Sequence, residues 1–542
     1  MKHLLPVSSS PLTILLLALS LSSGTVAFAE EGQAPSGTRG DSSGTDGIDE
    51  EPIPFAPPRL IAVEEEAEAE EFQWQLSARQ RIWADTFERP AGEGRGQGLY
   101  NQTRLHGAAE VGTFRAVLEA DLLAGRIVGS HPGTPMPEIA DHGARPFDAV
   151  SLDWAEIADP RQAYLEWQSP VGMLRTGLQS SNWGLGLLAN SGADDDYFFG
   201  APFGGDRAFR ALFATAPLRV LDRSGWWDQL FVAVGADLVY RDENADLRAG
   251  DQAYQFLGSL LWDGEDASLG AYMAHRTQTD RDDSTLDVTA LDLFAERNWR
   301  NAGRTWAYRA AAEGVYLFGE TTRADAPRGA GPIEVAAFGA AAHLEAQHLC
   351  SGLGVQFRTG FASGDGNPRA PSLHRFRFDP NYRVGLLLFD HHIPAWTRHS
   401  VDGAEDELRL RDTPRGIDNL VESGSVTNTM YFHPILLWEA TEDLHFATGF
   451  LTAFAHRPYR DLLASFQAGG ELVGVNGADS PGSALGMEGQ FGVRYTTHVG
   501  PRLQIEYHGE GAFLLPGAAF DDVLGEADRP TGLLRAFVTA TW

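Results

Sequence analysis

The sequence predicts an all-β fold in which residues 72–542 close into a transmembrane antiparallel β-barrel of about eighteen strands, with sixteen possible. From Phe72 onward, apolar residues recur at every second position in short runs, as they do in strands whose successive side chains face opposite sides of a sheet. Short and long connections separate these runs in alternation, which is typical of a barrel with both termini on one side of a membrane. A later run of about 18 apolar residues is missing, which excludes a helical membrane protein.

The first 71 residues precede the predicted barrel. Lys2 and His3, the apolar stretch 12–21 and the small-x-small site at 27–29 predict a cleaved signal peptide over residues 1–29. An N-terminal membrane anchor is the alternative, which the short apolar stretch disfavours. Residues 30–71 hold thirteen acids and two arginines, and they predict an acidic disordered periplasmic extension or, alternatively, a short plug that enters the lumen.

The composition limits the possible partners. The 542 residues include 74 acids and 42 bases, a net charge of −32, which argues against nucleic acid because phosphate binding needs a basic surface. Lys2 is the sole lysine, so the basic groups of the mature chain are arginines. Two explanations for this preference are a coding bias and a need for side chains that keep their charge in any environment. Cys350 has no second cysteine to pair with in the chain, and no cofactor is expected.

The alternating runs define eighteen predicted strands. Their ranges are 72–87, 100–112, 114–125, 162–169, 172–181, 207–216, 227–242, 251–263, 267–278, 285–297, 304–319, 333–348, 352–362, 429–440, 444–456, 484–498, 502–514 and 533–542. The even-numbered connections are mostly tight, whereas the odd-numbered ones are longer and rich in Gly, Asp and Pro. This asymmetry predicts short periplasmic turns and long extracellular loops.

The last run, residues 532–542, has an apolar residue at every second position and ends with Trp542. It resembles the closing strand of bacterial outer-membrane β-barrels. The resemblance implies a location in the outer membrane of a Gram-negative bacterium and contact with its lipid. It also implies recognition of Trp542 by the barrel-assembly machinery.

Period-two alternation also assigns the inner face of the predicted barrel. In the first strand, Arg79 and Arg81 lie opposite Trp74, Leu76 and Ile82. The predicted lumen-lining residues are Arg79, Arg81, Arg104, Glu110, Arg115, Glu119, Arg175, Arg241, Arg276, Arg309, Glu313, Arg358, Arg494, Arg502, Glu506, Glu510 and Arg535. Arginine rings select anions and carboxylate rings select cations, so a mixed wall leaves the selectivity open. Alternatively, these charges pair across strands in a plugged or closed lumen.

Two segments resemble known families. Residues 174–210 contain the run WGLGLLAN at 183–190, three aspartates at 194–196 and Gly205-Asp206-Arg207, and they resemble an uncharacterised outer-membrane β-barrel family of myxobacteria and relatives. Residues 361–368 (FASGDGNP) resemble the Ser-Gly-Asp loop of alginate-export-type porins, a distant similarity that implies an eighteen-stranded channel. That family passes an anionic polysaccharide through an arginine-rich lumen, whereas this chain carries matching acids and its mature part lacks lysine.

The connection 363–428 is the longest, and loops of that length are usually functional or disordered. It is predicted either to fold inward and narrow the pore or to form an external cap. The residues predicted near a constriction are Arg369, Arg375, Arg377, Arg383 and Arg398.

Metal binding is not predicted. Weak calcium candidates are Asp194, Asp195, Asp196 and Asp365, for which solvated turns are the alternative. His391 and His392 follow Asp390, but adjacent histidines in an extended strand would point to opposite sides.

Together these observations predict a porin-like channel that passes small or polymeric hydrophilic solutes. A barrel enzyme of the lipase or protease type is one alternative, although His445, His498 and His508 have no evident nucleophile in the sequence. A structural or adhesion barrel is the other.

Overall fold

The computed structural model describes residues 72–542 apart from several stretches in the connections. The stretches outside the description are 89–94, 130–155, 194–197, 201–203, 220–225, 324–330, 366–371, 398–423, 462–463, 466–467, 469–472, 475–481 and 522–527. The predicted signal peptide (1–29) and acidic extension (30–71) also lie outside the described residues.

The described residues form one closed antiparallel barrel of eighteen strands, numbered here β1 to β18 in chain order. Their bounds are Gln73–Glu88, Arg95–Val111, Phe114–Gly129, Glu156–Ser169, Gly172–Ser180, Arg207–Thr215, Leu230–Arg241, Gln252–Asp263, Ala267–Thr279, Thr285–Arg300, Trp306–Thr321, Ile333–His348, Leu353–Ala362, Thr429–Glu439, Leu444–Ala455, Ala484–Val499, Leu503–Pro516 and Thr531–Thr541. Each strand pairs with the next, and β1 pairs with β18 from Arg79↔Thr541 to Phe87↔Leu533. The pairing of β1 with β18 closes the barrel, so no strand edge is left open.

The structure confirms the predicted fold class and resolves the strand count as eighteen. The largest differences lie at strand starts, since β2 begins at Arg95 instead of 100 and β4 at Glu156 instead of 162. The even-numbered connections lie together at one end of the barrel, called here the short-turn end. One of them is long, because 216–229 separates β6 from β7 and includes the 3-10 helix Trp226–Gln229.

The outer face is apolar. Exposed side chains include Leu118, Leu165, Phe256, Leu293 and Phe491, each more than half exposed. None of the described helices is long and apolar enough to cross a membrane.

Aromatic side chains collect near the short turns. Stacked ring pairs there are Phe114–Trp167 at 6.2 Å, Trp299–Tyr308 at 5.4 Å, Trp438–Phe446 at 5.6 Å and Tyr495–Tyr507 at 6.4 Å between centroids. An apolar band bordered by aromatic residues is the outer surface that a barrel needs in a lipid bilayer.

Two connections fold into the barrel instead of away from it. The first inward segment comprises the described residues of the connection 181–206 between β5 and β6, which are 181–193, 198–200 and 204–206. The second inward segment comprises residues 372–397 of the long connection. In the second, a two-residue strand, Ser372–Leu373, pairs with the start of β12, and a π-helix, Leu388–His392, continues as a helix to residue 397. The expectation that His391 and His392 lie in an extended strand is therefore wrong, since both are buried in this helical turn.

The two inward segments share one apolar core with the barrel wall. Members from the segments include Leu187, Phe199, Phe376, Leu387 and Phe389, all at most 2% exposed. Wall residues such as Val315, Tyr431 and Leu451 pack against them. The barrel interior is thus partly filled by its own connections.

Candidate functional site

The inner wall of the barrel carries arginines that lie against carboxylates on neighbouring strands. Arg104 Nε donates to Asp121 Oδ1 at 2.8 Å across β2 and β3, and Arg175 lies 2.6 Å from Glu166 across β5 and β4. These pairs follow from antiparallel pairing, since directly opposite residues on one face are close enough to interact.

Most of the predicted lumen residues join such pairs. The pairs are Arg115–Glu110 (3.2 Å), Arg276–Asp242 (2.6 Å), Arg309–Glu345 (3.0 Å), Arg535–Glu510 (3.2 Å), Arg494–Glu506 (3.7 Å) and Arg241–Asp246 (3.7 Å). Glu119 is buried between Arg104 and Arg161, at 3.8 and 3.1 Å. These predicted lumen residues are therefore paired with opposite charges on the inner side of the barrel.

The remaining predicted lumen residues have other surroundings. Arg81 Nε lies 3.4 Å from Thr539 Oγ1, and Arg358 donates to Gln356 Oε1 at 3.1 Å. Arg79 stands directly opposite Arg104 in the pairing of β1 with β2. Arg502 is exposed beside the turn that precedes β17.

One buried glutamate on the wall holds the second inward segment. The carboxylate of Glu488 on β16 accepts hydrogen bonds from the backbone N–H groups of Leu386 at 2.7 Å, Leu387 at 3.2 Å and Leu388 at 2.8 Å. Glu488 is fully buried, so these charge-assisted bonds form away from water and are stronger than bonds at a surface.

A second glutamate holds the first inward segment in the same way. Glu313 on β11 accepts from the backbone N–H of Leu185 and, at 3.2 Å, from that of Leu187. Each anchored stretch is preceded by a glycine in the left-handed region, Gly184 with φ of 56° and Gly385 with φ of 76°. A Cβ at Gly385 would also lie 3.0 Å from Glu488 Oε1, so the turn requires glycine for both conformation and space.

Further contacts tie the inward segments to the wall. Tyr382 Oη lies 2.7 Å from both His343 Nε2 and Tyr431 Oη, which are on β12 and β14. The ring of Phe376 packs directly over Gly339, where a Cβ would be only about 2 Å away. Gly200 N–H of the first segment donates to Glu510 Oε2 at 3.3 Å.

The predicted constriction arginines are only partly described. Arg383 lies 2.8 Å from Asp390 within the second inward segment, and Arg377 bridges to Thr427 through the backbone. Arg375 is half-buried beside Phe376. Arg369 and Arg398 lie outside the described residues.

The weak calcium candidates are not brought together in the described part of the chain. Asp194, Asp195 and Asp196 lie outside it. Asp365 Oδ2 accepts from the backbone N–H of His374 at 3.2 Å.

The histidines considered for an enzyme have ordinary partners. His445 Nε2 lies 3.1 Å from the carbonyl of Glu442, and His508 Nε2 lies 3.6 Å from Glu510. His498 is exposed near the short-turn end.

Sequence reasoning missed the apolar run at residues 384–389 (VGLLLF), which supplies much of the inner core. A continuous apolar run inside a long polar connection is a signal of burial, because such a run does not remain exposed in water. It favours the inward interpretation of the long connection over an external cap.

The closed barrel, the apolar outer band with its aromatic residues and the charged inner wall together define the class as a transmembrane β-barrel. No protein-family model and no curated protein matches the sequence.

Solved structures with a similar barrel include three outer-membrane proteins. OccAB1 of Acinetobacter baumannii is 9% identical, with 88% of this chain and 99% of that chain covered and a TM-score of 0.48. OprD of Pseudomonas aeruginosa is 10% identical (86% and 93% covered, TM-score 0.47), and OccK8 (OprE) of the same species is 9% identical (87% and 98%, TM-score 0.44). At these values the likeness concerns the general architecture, and the function has to be argued from the barrel itself.

Proposed function

We propose that this protein is a channel in the outer membrane of a Gram-negative bacterium and that it passes hydrophilic solutes through a charged lumen. The observation that carries the proposal is the division of faces, with arginines and carboxylates inside a closed barrel and apolar side chains outside it. Charged side chains are costly to bury even when they are paired, so their concentration inside the barrel is typical of a lumen that contains water. The long-loop end is then extracellular and the short-turn end periplasmic.

The two inward segments give the proposed channel a narrow path. They occupy part of the cross-section with apolar side chains that share one buried core with the wall. A narrow, charged path favours small hydrophilic solutes over polymers. Membership of the myxobacterial or alginate-export-type families remains a proposal that rests on residues 174–210 and 361–368.

Conductance tests the proposal. Purified protein in planar bilayers should give stepwise currents, and a barrel that inserts but stays silent would contradict a channel. Substituting Arg79 and Arg81 with Gln should shift ion selectivity towards cations, because two positive charges leave the wall. The matched control is substitution of Arg300 with Gln, at the exposed end of β10. This control should leave ion selectivity unchanged.

A further inference from the structure

Three carboxylates from three different connections meet inside the long-loop end of the barrel. Asp206 ends the first inward segment, Glu243 follows β7, and Asp379 belongs to the second inward segment. One oxygen from each lies within 4.8 Å of the others. Asp379 is only 2% exposed, and the other two are half-buried.

Backbone hydrogen bonds set the positions of two of these residues. Asp206 N–H donates to the carbonyl of Asn190 at 2.9 Å, and Asp379 N–H donates to the carbonyl of Leu187 at 2.8 Å. Asp206 and Asp379 are therefore both tied to residues 187–190 of the first inward segment. The backbones of Asp206 and Asp379 are thus held in place, and their carboxylates extend from there to the cluster.

Asp379 supplies a second observation that points to a ligand. Its Oδ1 accepts from the backbone N–H of Asn381 at 2.7 Å, whereas its buried Oδ2 has no hydrogen-bond donor among the described residues. A buried carboxylate oxygen without a donor is strongly disfavoured unless a cation or water satisfies it.

Burial of the three carboxylates close to one another raises their pKa values. Arg276 lies close to Glu243 but is engaged with Asp242 at 2.6 Å. Burial, together with Asp242, raises the pKa of Glu243 to about 7 despite Arg276 and Arg377. Burial and the neighbouring carboxylates raise the pKa values of Asp206 and Asp379 well above the ordinary range, so a cation that binds here displaces protons.

We propose that Asp206, Glu243 and Asp379 bind a divalent cation of the calcium type. Calcium takes oxygen ligands at roughly 2.3–2.6 Å, so two oxygens on one ion lie at most about 5 Å apart, which the cluster satisfies. Zinc sites use histidine or cysteine, which the cluster lacks. Backbone carbonyls and water complete the coordination, as is usual for calcium.

The consequence is a link between three connections. A cation held by these carboxylates joins both inward segments to the connection after β7, at the end of the barrel opposite the short turns. It therefore stabilises the folded-in arrangement. The proposed site does not require solute passage, so it can exist whether or not the barrel conducts.

Calcium titration of the refolded full chain tests the site. Protein refolded into detergent free of lipopolysaccharide and treated with a chelator is titrated with CaCl₂ in a calorimeter. We expect one site with a dissociation constant of about 0.1–1 mM, typical of extracellular calcium sites. Asp379→Asn and Glu243→Gln should each weaken binding at least about tenfold, whereas Asp365→Asn, the matched control outside the cluster, should bind as the wild type does.

Thermal unfolding distinguishes a lost site from a lost fold. In chelator, Asp379→Asn should melt above the wild type, because one of three repelling charges is gone; with calcium, the melting temperature should rise in the wild type and not in the variant. If the wild type releases or absorbs no heat on titration with calcium, the proposal is overturned, and the carboxylates of the cluster share a proton instead. Unchanged calcium affinity in Asp379→Asn would overturn it equally.

Discussion

His392 illustrates how a single buried side chain couples this barrel to pH. Its ring is fully buried in the second inward segment, 4.6 Å from the ring of Phe520 and with Nε2 3.6 Å from Asp528. Burial lowers the pKa of His392 to about 3, so the ring is neutral at pH 7.

A lowered histidine pKa predicts loss of stability in acid. The folded pKa lies below that of a free imidazole, so protonation favours the unfolded state once the pH falls below about 6.5. Between pH 8 and pH 5, His392 should cost about 2 kcal/mol of unfolding free energy. His392→Phe keeps an aromatic ring against Phe520 and should remove this loss, as measured by denaturant unfolding in micelles at both pH values.

The matched control for His392 is His498→Phe, at an exposed position near the short-turn end. The unfolding free energy of His498→Phe should fall between pH 8 and pH 5 by the same amount as that of the wild type. If the wild type and His392→Phe lose the same unfolding free energy between pH 8 and pH 5, the buried imidazole does not take up a proton on unfolding.

At the residue scale, the sequence could predict faces but not partners. Period-two alternation places Glu313, Glu488 and Glu510 on the inner face, because strand geometry alone decides that. It could not predict that Glu313 and Glu488 bind backbone N–H groups of inward segments, since those contacts span 126 to 128 and 100 to 102 residues along the chain. The cluster of Asp206, Glu243 and Asp379 could not be predicted for the same reason, because its members are far apart in the sequence.

At the element scale, the second inward segment depends on its glutamate anchor. Glu488→Gln keeps the size of the side chain but replaces one of two accepting oxygens with a donor. At least one of the N–H groups of residues 386–388 then loses its acceptor, at a cost of about 1–3 kcal/mol. We expect faster hydrogen exchange over residues 384–397 and larger, noisier bilayer currents.

Glu439→Gln is the matched control for the anchor. Glu439 also lies on a strand and accepts a side-chain hydrogen bond, from Gln347 at 2.8 Å, but it is exposed at the short-turn end. Its substitution should change neither the exchange of residues 384–397 nor the current. Unaltered exchange in Glu488→Gln would mean that apolar packing alone holds the segment.

The order of strands was easier to predict than the state of the connections. Each strand shows an alternation of apolar and polar residues in its own sequence. A loop has no such period, and whether it folds inward or outward depends on the space inside the finished barrel. The apolar run 384–389 was the available signal. The strand ends that differ most, at Arg95 and Glu156, border long connections in which polar residues continue the pairing beyond the apolar alternation.

At the scale of the whole molecule, closure joins the two ends of the described chain. Trp542 N–H donates to the carbonyl of Ala78 at 3.0 Å, and the carbonyl of Trp542 accepts from Ala78 N–H at 2.9 Å. Both bonds use backbone atoms only, and the indole is 52% exposed. The side chain of Trp542 therefore contributes little to holding the barrel closed.

This separation of backbone from side chain gives a test of the proposal that the assembly machinery recognises Trp542. In Trp542→Ala both closing hydrogen bonds remain, so barrel refolded in detergent should unfold within about 0.5 kcal/mol of the wild type. In cells, the amount of folded barrel in the outer membrane should fall several-fold, because the recognised aromatic residue is gone. This amount is measured by heat-modifiable migration on a gel.

Phe537→Ala is the contrasting control, because it removes a buried inner aromatic residue from the same strand. It should lower the stability of the barrel in detergent as well as the amount of folded barrel in cells. A Trp542→Ala barrel that assembles at the wild-type level would contradict recognition, and a parallel loss in detergent would assign the effect to stability.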